Sequence, residues 1–462
     1  MNSIKITLED IFNLANSVIY NPDRFKPVKN ISIDSRTIKK GSLFVAIKGK
    51  KTDGHNYVKE AISKGASAVI ISKKREKDFK RLKIPVITVN NTTKAYGQLA
   101  NTWRKKLNAK VIGLTGSNGK TTTKEMLATL LSAKYTVTKS VANNNNHIGV
   151  PLTIFSANEK TDVLVLEEGT NHFGEIEYIA KISEPDIALI TNIGDTHLEF
   201  LIDRDGVYKE KSALLNVANE VGGTILINND DPYQRKDKRK FKNITTYGFK
   251  GQVDIKGKVK SFSSLGYPEI EIVGMGKKVN VILPILGEVN VKNYLTAISV
   301  AITLGLTKKE IVDATKKIQV VKGRLSTIIA DNTMLIDDSY NSNPDSVKAA
   351  VNVLSKVNRY KRKIMILGDM LELGKAKSKL HAGLKDSIMK GRIDEVYMHG
   401  KLMNNLYEAL PSTKIATLHF TLRESLKRFV SLMDINDAVI LVKGSRGMKM
   451  EEFVDIIKKR MK

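Results

Sequence analysis

A strand, loop and helix signature at residues 111–131 constrains the fold of this chain more than any other feature. The apolar run Val111–Thr115 is typical of a buried strand, and it leads directly into Gly-Ser-Asn-Gly-Lys-Thr at 116–121. Glycines let the backbone approach phosphate oxygens, and the amides at the start of the next helix attract an anion. Lys120 would reach the terminal phosphates, and Thr121 would offer a hydroxyl to Mg²⁺. The signature predicts an α/β sheet that holds a nucleoside triphosphate.

This loop departs in one place from the full pattern G-x-x-x-x-G-K-[ST], because Leu114 stands where the first glycine is expected. The match is therefore to the shorter core G-x-x-G-K-T. A plain strand-to-helix turn is the alternative, and the Lys-Thr-Thr ending disfavours it. We expect ATP to be bound by Gly116, Ser117, Asn118, Gly119, Lys120, Thr121 and Thr122.

Length and composition indicate a multidomain globular protein. The 462 residues suggest about three domains, and 42% hydrophobic with 27% charged residues is close to the globular average. No apolar run approaches the roughly 20 residues that span a bilayer, and the first residues lack a signal-peptide core. The chain has no cysteine, which excludes disulfides and thiolate chemistry. We expect a cytoplasmic protein without stable membrane insertion.

The formal net charge of +28 is the one outlier in the composition. It is compatible with a nucleic-acid partner, an anionic substrate or a lysine-rich genome. Lysine and arginine are spread through every segment, and the short clusters at 73–75 and 235–240 have few aromatic neighbours. We interpret the charge as solvated surface that also favours polyanionic ligands, and we expect no nucleic-acid partner.

The order of predicted strands and helices divides the chain into three α/β domains, at 1–90, 91–322 and 323–462. The first is a small unit that includes predicted strands at 31–36 and 42–47. The second has a mostly parallel sheet of the phosphate-loop ATPase type, with an irregular β excursion at 230–290. The third restarts the alternation after Arg324 and is predicted to be Rossmann-like.

Three predicted strands of the central domain end in polar sequences, and ligands gather at the carboxyl ends of strands in open α/β sheets. One strand ends in the phosphate loop, a second in Glu167-Glu168, and a third is followed by His197. Mg²⁺ prefers oxygen ligands. Because adjacent residues point in opposite directions, we expect Glu167 to face the metal and Glu168 to face solvent. Lys211, by contrast, is typical of an ordinary amphipathic helix.

Four motifs resemble the Mur ligases of peptidoglycan synthesis, and the resemblance extends over nearly the whole chain. They are Thr115–Thr123, Asn143–Thr153, Glu167–His172 and Asn192–His197. The N-terminal sequences Asp-Ser-Arg at 34–36 and Asp-Gly-His at 53–55 are similar to the uridine-diphosphate-binding domain of that family. The resemblance implies that the nucleotide-linked substrate contacts Ser35, Arg36, Asp53, His55, Asn145 and Asn146.

In the third domain, three motifs resemble the branch of the family that adds D-alanyl-D-alanine. They are Asp337–Ser346, Leu367–Gly374 with His381, and Val442–Arg446. The resemblance implies that the dipeptide is bound near Tyr340, Asn341 and Asn343. It also implies that Asn290 and Asn293 lie on the adenine side, and that Arg324 and Asp338 reach ATP when the third domain closes. One departure is Val289, where the family commonly has histidine.

The family resemblance changes the interpretation of Lys211, because the matching lysine in the family is carbamylated. A carbamate would make it an anion that helps to hold a second Mg²⁺. A carbamate forms only on a neutral amine, so the site must lower the pKa of that lysine. The implied catalytic residues are Lys120, Glu167, His197 and Lys211. The implied metal ligands are Thr121, Glu167, His197 and, if carbamylated, Lys211.

The implied activity is ATP-dependent ligation of D-alanyl-D-alanine to UDP-N-acetylmuramoyl-tripeptide through an acyl phosphate, by a monomer with ATP and Mg²⁺ as cofactors. A sister Mur ligase or a folylpolyglutamate-synthase-like ligase is the nearest alternative. The diaminopimelate-adding sister is disfavoured because its Asp-Asn-Pro-Arg type of motif is absent. From other classes, a basic ATPase acting on nucleic acid and a non-catalytic nucleotide-binding module remain as alternatives.

Overall fold

A computed structural model of the protein describes residues 4–49, 51–142, 144–194, 196–320, 322–330 and 332–461. Asn143 and Asp195, which belong to two of the quoted motifs, lie outside the described residues. The described backbone forms α/β layers around three groups of strands.

The N-terminal segment forms a five-stranded sheet in the order β1-β5-β4-β3-β2, with β1 antiparallel to β5 and the other pairs parallel. Its strands are β1 (Val18–Tyr20), β2 (Ile31–Ser32), β3 (Ser42–Val45), β4 (Ala66–Ser72) and β5 (Val86–Val89), and its helices are α1 (Leu8–Phe12), α2 (Val58–Ser63) and α3 (Glu76–Phe79). The strand predicted at 31–36 is wrong beyond Ser32. The Asp34 carboxylate accepts the Arg36 amide and caps a 3₁₀ turn at Ser35–Thr37, which ends the strand.

The central segment forms a parallel array in the order β7-β8-β6-β9-β10-β11, as predicted. Its elements are α4 (Thr92–Lys106), β6 (Lys110–Thr115), α5 (Lys120–Leu131), β7 (Val137–Lys139), α6 (Gly149–Ser156), β8 (Val163–Glu167), α7 (Glu175–Ser183), β9 (Ile187–Ile190), α8 (Leu198–Leu201), α9 (Arg204–Glu220), β10 (Thr224–Asn228), α10 (Pro232–Asp237) and β11 (Ile244–Gly248). Strands β8 and β9 are buried along their whole length. Such strands are covered by helices on both faces.

The predicted β excursion comprises β11 and the strands β12 (Ile255–Phe262), β13 (Pro268–Gly274) and β14 (Lys277–Ile282), and it also contains helix α10. Strands β13 and β14 form an antiparallel pair. Helices α11 (Glu288–Thr303) and α12 (Lys308–Thr315) follow. The alternating burial of β13 fits a strand with one exposed face.

The C-terminal segment forms the predicted second sheet, in the order β15-β16-β20-β17-β18-β19. Its elements are β15 (Ser326–Ala330), β16 (Thr333–Asp338), α13 (Pro344–Lys356), β17 (Arg362–Gly368), α14 (Lys377–Ala382), α15 (Lys385–Lys390), β18 (Glu395–His399), α16 (Asn404–Ala409), β19 (Ala416–Phe420), α17 (Arg423–Leu432), β20 (Ala438–Lys443) and α18 (Glu451–Arg460). Only the edge pair β15 and β16 is antiparallel.

The chain divides into two compact units, one of residues 1–255 with 296–306 and one of residues 256–295 with 307–462. Each unit has its own buried apolar clusters, around Trp103 in the first and around Leu354 in the second. Among the described residues, every helix is too short or too polar to cross a bilayer.

Candidate active site

The loop between β6 and α5 adopts a backbone that requires its two glycines. Gly116 has φ +149°, and a Cβ atom there would lie 1.9 Å from Thr191 Oγ1. Gly119 has φ +81° at the residue before α5. The end of β9 supports the loop, because the Ser117 amide donates to the Asn192 carbonyl at 2.9 Å. The loop is therefore fixed against the neighbouring strand, with the first amides of α5 at its mouth.

Lys120 is the first residue of α5, and its side chain folds back over the loop. Its Nζ donates to the carbonyls of Gly116 at 2.7 Å and Ser117 at 3.4 Å. The ammonium group thus lies beside the backbone amides that would face phosphate oxygens. This arrangement is suited to a phosphate chain, because two kinds of fixed positive groups converge on one place.

Glu167 is the last residue of β8, and its side chain is only 2% exposed. Its Oε1 accepts hydrogen bonds from Thr121 Oγ1 at 3.3 Å and Asn145 Nδ2 at 3.1 Å. Its Oε2 is buried and accepts no hydrogen bond from the described residues. A carboxylate beside a hydroxyl at a phosphate loop is a set of hard oxygen ligands, so these residues fit Mg²⁺.

Glu168 lies inside the protein, so the prediction that it faces solvent is wrong. The side chain is fully buried, and Ser183 at the end of α7 donates to its Oε1 at 2.8 Å. Burial raises the pKa of this carboxyl to about 8. The alternation of side chains along the strand was interpreted correctly, but α7 covers the face that was expected to be open.

Lys211 is 1% exposed on α9, which is not the environment of an ordinary amphipathic-helix lysine. Burial and the positive charge of Lys120 lower its pKa to about 7. The pKa of His197 is lowered by partial burial of the ring and by the charges of Lys211 and Lys120. The charge of Lys120 therefore acts on both His197 and Lys211, and a large share of Lys211 is neutral near pH 7.

The predicted metal ligands are only partly assembled. Thr121 and Glu167 are in contact, whereas His197 lies in the loop after β9 at a backbone φ of +55°, with its ring partly desolvated but much of the residue exposed. Among the residues that the structure describes, no group of three or more histidine, aspartate or glutamate side chains is spaced to hold a metal ion. The Thr121 and Glu167 pair is thus the formed part of the predicted metal site.

In the second unit, the predicted residues Asp338 and Asn341 are joined by Lys443. The Lys443 ammonium donates to Asp338 Oδ2 at 2.6 Å and to the Asn341 carbonyl at 2.9 Å, and Lys443 is 2% exposed. Tyr340 is 44% exposed, with the Arg324 guanidinium 4.5 Å from its ring centre. Charged and aromatic groups thus meet at the carboxyl ends of β16 and β20.

Three family descriptions match successive parts of the chain. The "Mur ligase family, catalytic domain" matches residues 27–104, the "Mur ligase middle domain" matches 114–301, and the "Mur ligase, glutamate ligase domain" matches 323–446. A relative from Bacillus subtilis (strain 168), the UDP-N-acetylmuramoyl-tripeptide–D-alanyl-D-alanine ligase, is 34% identical over 98% of each chain. The chain belongs to the Mur ligase family.

Solved structures of the Mur ligase family agree with this assignment over more than nine-tenths of the chain. A crystal structure of MurF from Acinetobacter baumannii has a TM-score of 0.85 and 30% identity, covering 99% of this chain and all of the other. MurF from Thermotoga maritima in complex with ADP has a TM-score of 0.80 and 27% identity, covering 94% of this chain and 97% of the other. The three-domain α/β fold predicted from the sequence is confirmed.

The predicted uridine-nucleotide residues of this Mur ligase differ in accessibility. His55 is buried, its Nδ1 lies 2.6 Å from Asp53 Oδ1, and its Nε2 accepts the Ser72 amide at 2.9 Å. Ser35 is buried and donates to a glutamate on α2. Arg36 is exposed. The exposed Arg36 guanidinium is paired with the Asp34 carboxylate at 2.7 Å, whereas the imidazole of His55 holds the Asp53 loop to the sheet.

Five further predicted binding residues are asparagines whose side-chain amide already makes a hydrogen bond within the protein. Asn146 Oδ1 accepts the amide of Gly149 at the start of α6, and Asn343 Oδ1 accepts the Ser346 amide at the start of α13. On α11, Asn290 Nδ2 donates to the Leu286 carbonyl, and Asn293 Nδ2 donates to Asn290 Oδ1. Asn341 Oδ1 accepts the Ser342 amide. Each of these contacts fixes the side-chain orientation.

Sequence reasoning missed two buried lysines of the Mur ligase sites, Lys124 and Lys443. Lys124 is fully buried, with its Nζ 3.6 Å from Glu167 Oε2. Lys124 lies one helical turn after Lys120 on α5, and this spacing could have indicated that both lysines lie near the phosphate loop. Lys443 lay within a quoted motif, but only the structure shows its ion pair with Asp338.

Proposed function

We propose that this Mur ligase uses ATP to join D-alanyl-D-alanine to UDP-N-acetylmuramoyl-tripeptide. The observation that carries the proposal is the contact between Thr121 and Glu167 at a formed phosphate loop whose Lys120 charge acts on the buried amine of Lys211. The relatives named for this reaction match the chain from end to end, which supports the choice of substrates.

Activation of the peptide carboxylate is the chemical problem that ATP solves. A carboxylate oxygen attacks the γ-phosphorus, the bond to the β-phosphate oxygen breaks, and ADP leaves. The dipeptide amine then attacks the carbonyl carbon of the acyl phosphate, loses a proton and expels inorganic phosphate. No protein nucleophile is needed, so the enzyme acts by positioning and by electrostatic stabilisation.

Residues of the first unit supply that stabilisation. The amides of 116–121 and the Lys120 ammonium would hold the phosphates and offset the charge that develops on them. Thr121 and Glu167 would hold Mg²⁺, which neutralises phosphoryl charge. Lys211, with a pKa of about 7, presents enough neutral amine to form a carbamate, which would replace a positive charge by a negative one beside His197.

In this proposal, each of the three predicted domains binds one of the three substrates. The uridine nucleotide would bind to residues 1–90, ATP to residues 91–322 and the dipeptide to residues 323–462 near Tyr340, Asn341 and Asn343. Since both nucleotide substrates are highly charged and water-soluble, we place the reaction in the cytoplasm, and we propose a monomer because one chain carries all three binding regions.

Phosphate release tests the proposal when measured with ATP, UDP-N-acetylmuramoyl-tripeptide and D-alanyl-D-alanine together, and with each peptide substrate omitted in turn. We expect sustained release only in the complete mixture. Release that is insensitive to D-alanyl-D-alanine would contradict the proposal, and stimulation by nucleic acid instead would favour the alternative ATPase.

Two lysine variants test the phosphate loop itself. Lys120 follows the loop, and Lys110, at the start of β6, provides the matched control. Lys120→Met removes the ammonium over the loop, and we expect turnover to fall about 100-fold or more. Lys110→Met removes a surface lysine at the start of β6 and should leave turnover unchanged. Equal activities of the two variants would mean that the phosphate loop is not used in the reaction.

A further inference from the structure

Lys124 is the one fully buried lysine of α5, and the proposed mechanism gives it no task. Its Nζ donates to the Ala142 carbonyl at 3.1 Å and lies 3.3 Å from Glu125 Oε1. The third neighbour is Glu167 Oε2, at 3.6 Å. Removing an ammonium group from water costs free energy unless it is paired with an anion. These contacts therefore define where the charge of Lys124 acts.

The two oxygens of the Glu167 carboxylate have different surroundings. Oε1 meets Thr121, the hydroxyl expected to bind metal, and also accepts from Asn145. Oε2 is enclosed, accepts no hydrogen bond from the described residues and faces the Lys124 ammonium. One face of the carboxylate is thus directed to the phosphate loop, and the other is directed to a cation that belongs to the protein.

We infer that Lys124 is a tethered counter-cation that positions Glu167 and limits it to metal ligation through Oε1 alone. The ammonium occupies the side of the carboxylate where a divalent ion would otherwise approach Oε2. It also repels a divalent ion at Oε1, so its presence weakens Mg²⁺ binding while keeping the buried carboxylate in place. This inference rests on the proposed Mg²⁺ and ATP site, and not on the identity of the peptide substrates.

Lys139 offers a matched control, because it pairs with the same Glu125 but on the solvent side. Its ammonium contacts Glu125 Oε2, and its side chain is 38% exposed. Lys139→Met removes a positive charge from the same cluster without removing the neighbour of Glu167. The two variants therefore separate a general effect of charge from the specific effect of Lys124.

Calorimetric titration of ATP at a series of Mg²⁺ concentrations, without peptide substrates and at one pH for all variants, tests the inference. We expect Lys124→Met to lower the half-saturating Mg²⁺ concentration tenfold or more, since a nearby cation is removed from the metal site. Lys139→Met should leave that concentration within about twofold, because its charge is screened by solvent. Unchanged or weaker Mg²⁺ binding in folded Lys124→Met would overturn the inference.

A second variant keeps the test valid if Lys124→Met does not fold. The double variant Lys124→Met with Glu125→Gln removes one charge of each sign, and we expect the same tightening of Mg²⁺ binding. Thermal unfolding gives an independent measurement: Mg²⁺ with ATP should raise the melting temperature of the Lys124 variants more than that of the wild type. An equal rise would overturn the inference. Failure of the ligase reaction would show separately, as phosphate release that ignores D-alanyl-D-alanine.

Discussion

Leu114 on β6 and Glu167 on β8 are direct partners across two parallel strands. The pairing puts the carboxylate at the level where β6 runs into the phosphate loop, and Thr121 can therefore reach it. It also explains why leucine is tolerated at the position of the missing glycine. Leu114 is still in the strand with its side chain fully buried in the core, and the tight backbone begins only at Gly116.

Gly116→Ala should abolish ATP binding, because the new Cβ would lie 1.9 Å from Thr191 Oγ1 at a φ of +149°. Titration calorimetry with ATP measures the effect. Gly194→Ala is the control at the same site, since its Cβ would lie 3.6 Å from the nearest atom, Ser117 Cβ, and we expect ATP affinity within about twofold of wild type. ATP binding by Gly116→Ala at wild-type strength would contradict the loop geometry.

Lys211→Ala should reduce turnover by about 100-fold or more, because the group proposed to carry the carbamate is lost. A short-chain carboxylic acid such as acetate or propionate should restore part of the activity by supplying the missing anion. The measurement is phosphate release in the complete reaction mixture. Lys209→Ala, an exposed lysine on the same helix, should behave as wild type. Wild-type activity of Lys211→Ala would end the carbamate hypothesis.

Lys211→Met should stabilise the protein in bicarbonate-free buffer. The folded state lowers the pKa of Lys211 from 10.5 to about 7, so the unfolded state binds more protons between these values. Wild-type stability should therefore rise with pH across that window, and the advantage of the variant should be largest at or below pH 7. We expect an advantage on the order of 4 kcal/mol that vanishes towards the unfolded pKa. Urea unfolding at a series of pH values measures it, and an advantage independent of pH would contradict the assignment.

Lys443→Met should destabilise the second unit by about 3 to 5 kcal/mol, because it leaves the Asp338 carboxylate without its partner. The double variant with Asp338→Asn removes both charges, and it should lose much less stability than the single variant. Chemical denaturation of the three proteins completes a double-mutant cycle. Additive effects would show that the ion pair does not contribute.

Local sequence patterns were enough to predict the phosphate loop, the strands that end at it and the alternation of the C-terminal sheet. These features depend on residue type and short spacing: Gly116 and Gly119 permit backbone that other residues resist, and continuous apolar runs indicate parallel strands. The family resemblance added the roles proposed for Lys211 and for Asn341. The strand expected beyond Ser32 failed because Asp34 caps a turn, which is a competing local interaction.

The tertiary structure alone decided which charged side chains are buried and what they meet. Glu168 is covered by Ser183 of α7, Lys124 on α5 meets Glu167 at the end of β8, and Lys443 meets Asp338 more than 100 positions away along the chain. Burial and pairing at such separations depend on how whole elements pack, and they set the pKa of Lys211 through desolvation. The sequence by itself determined that a phosphate site exists, and packing determined the electrostatics under which it works.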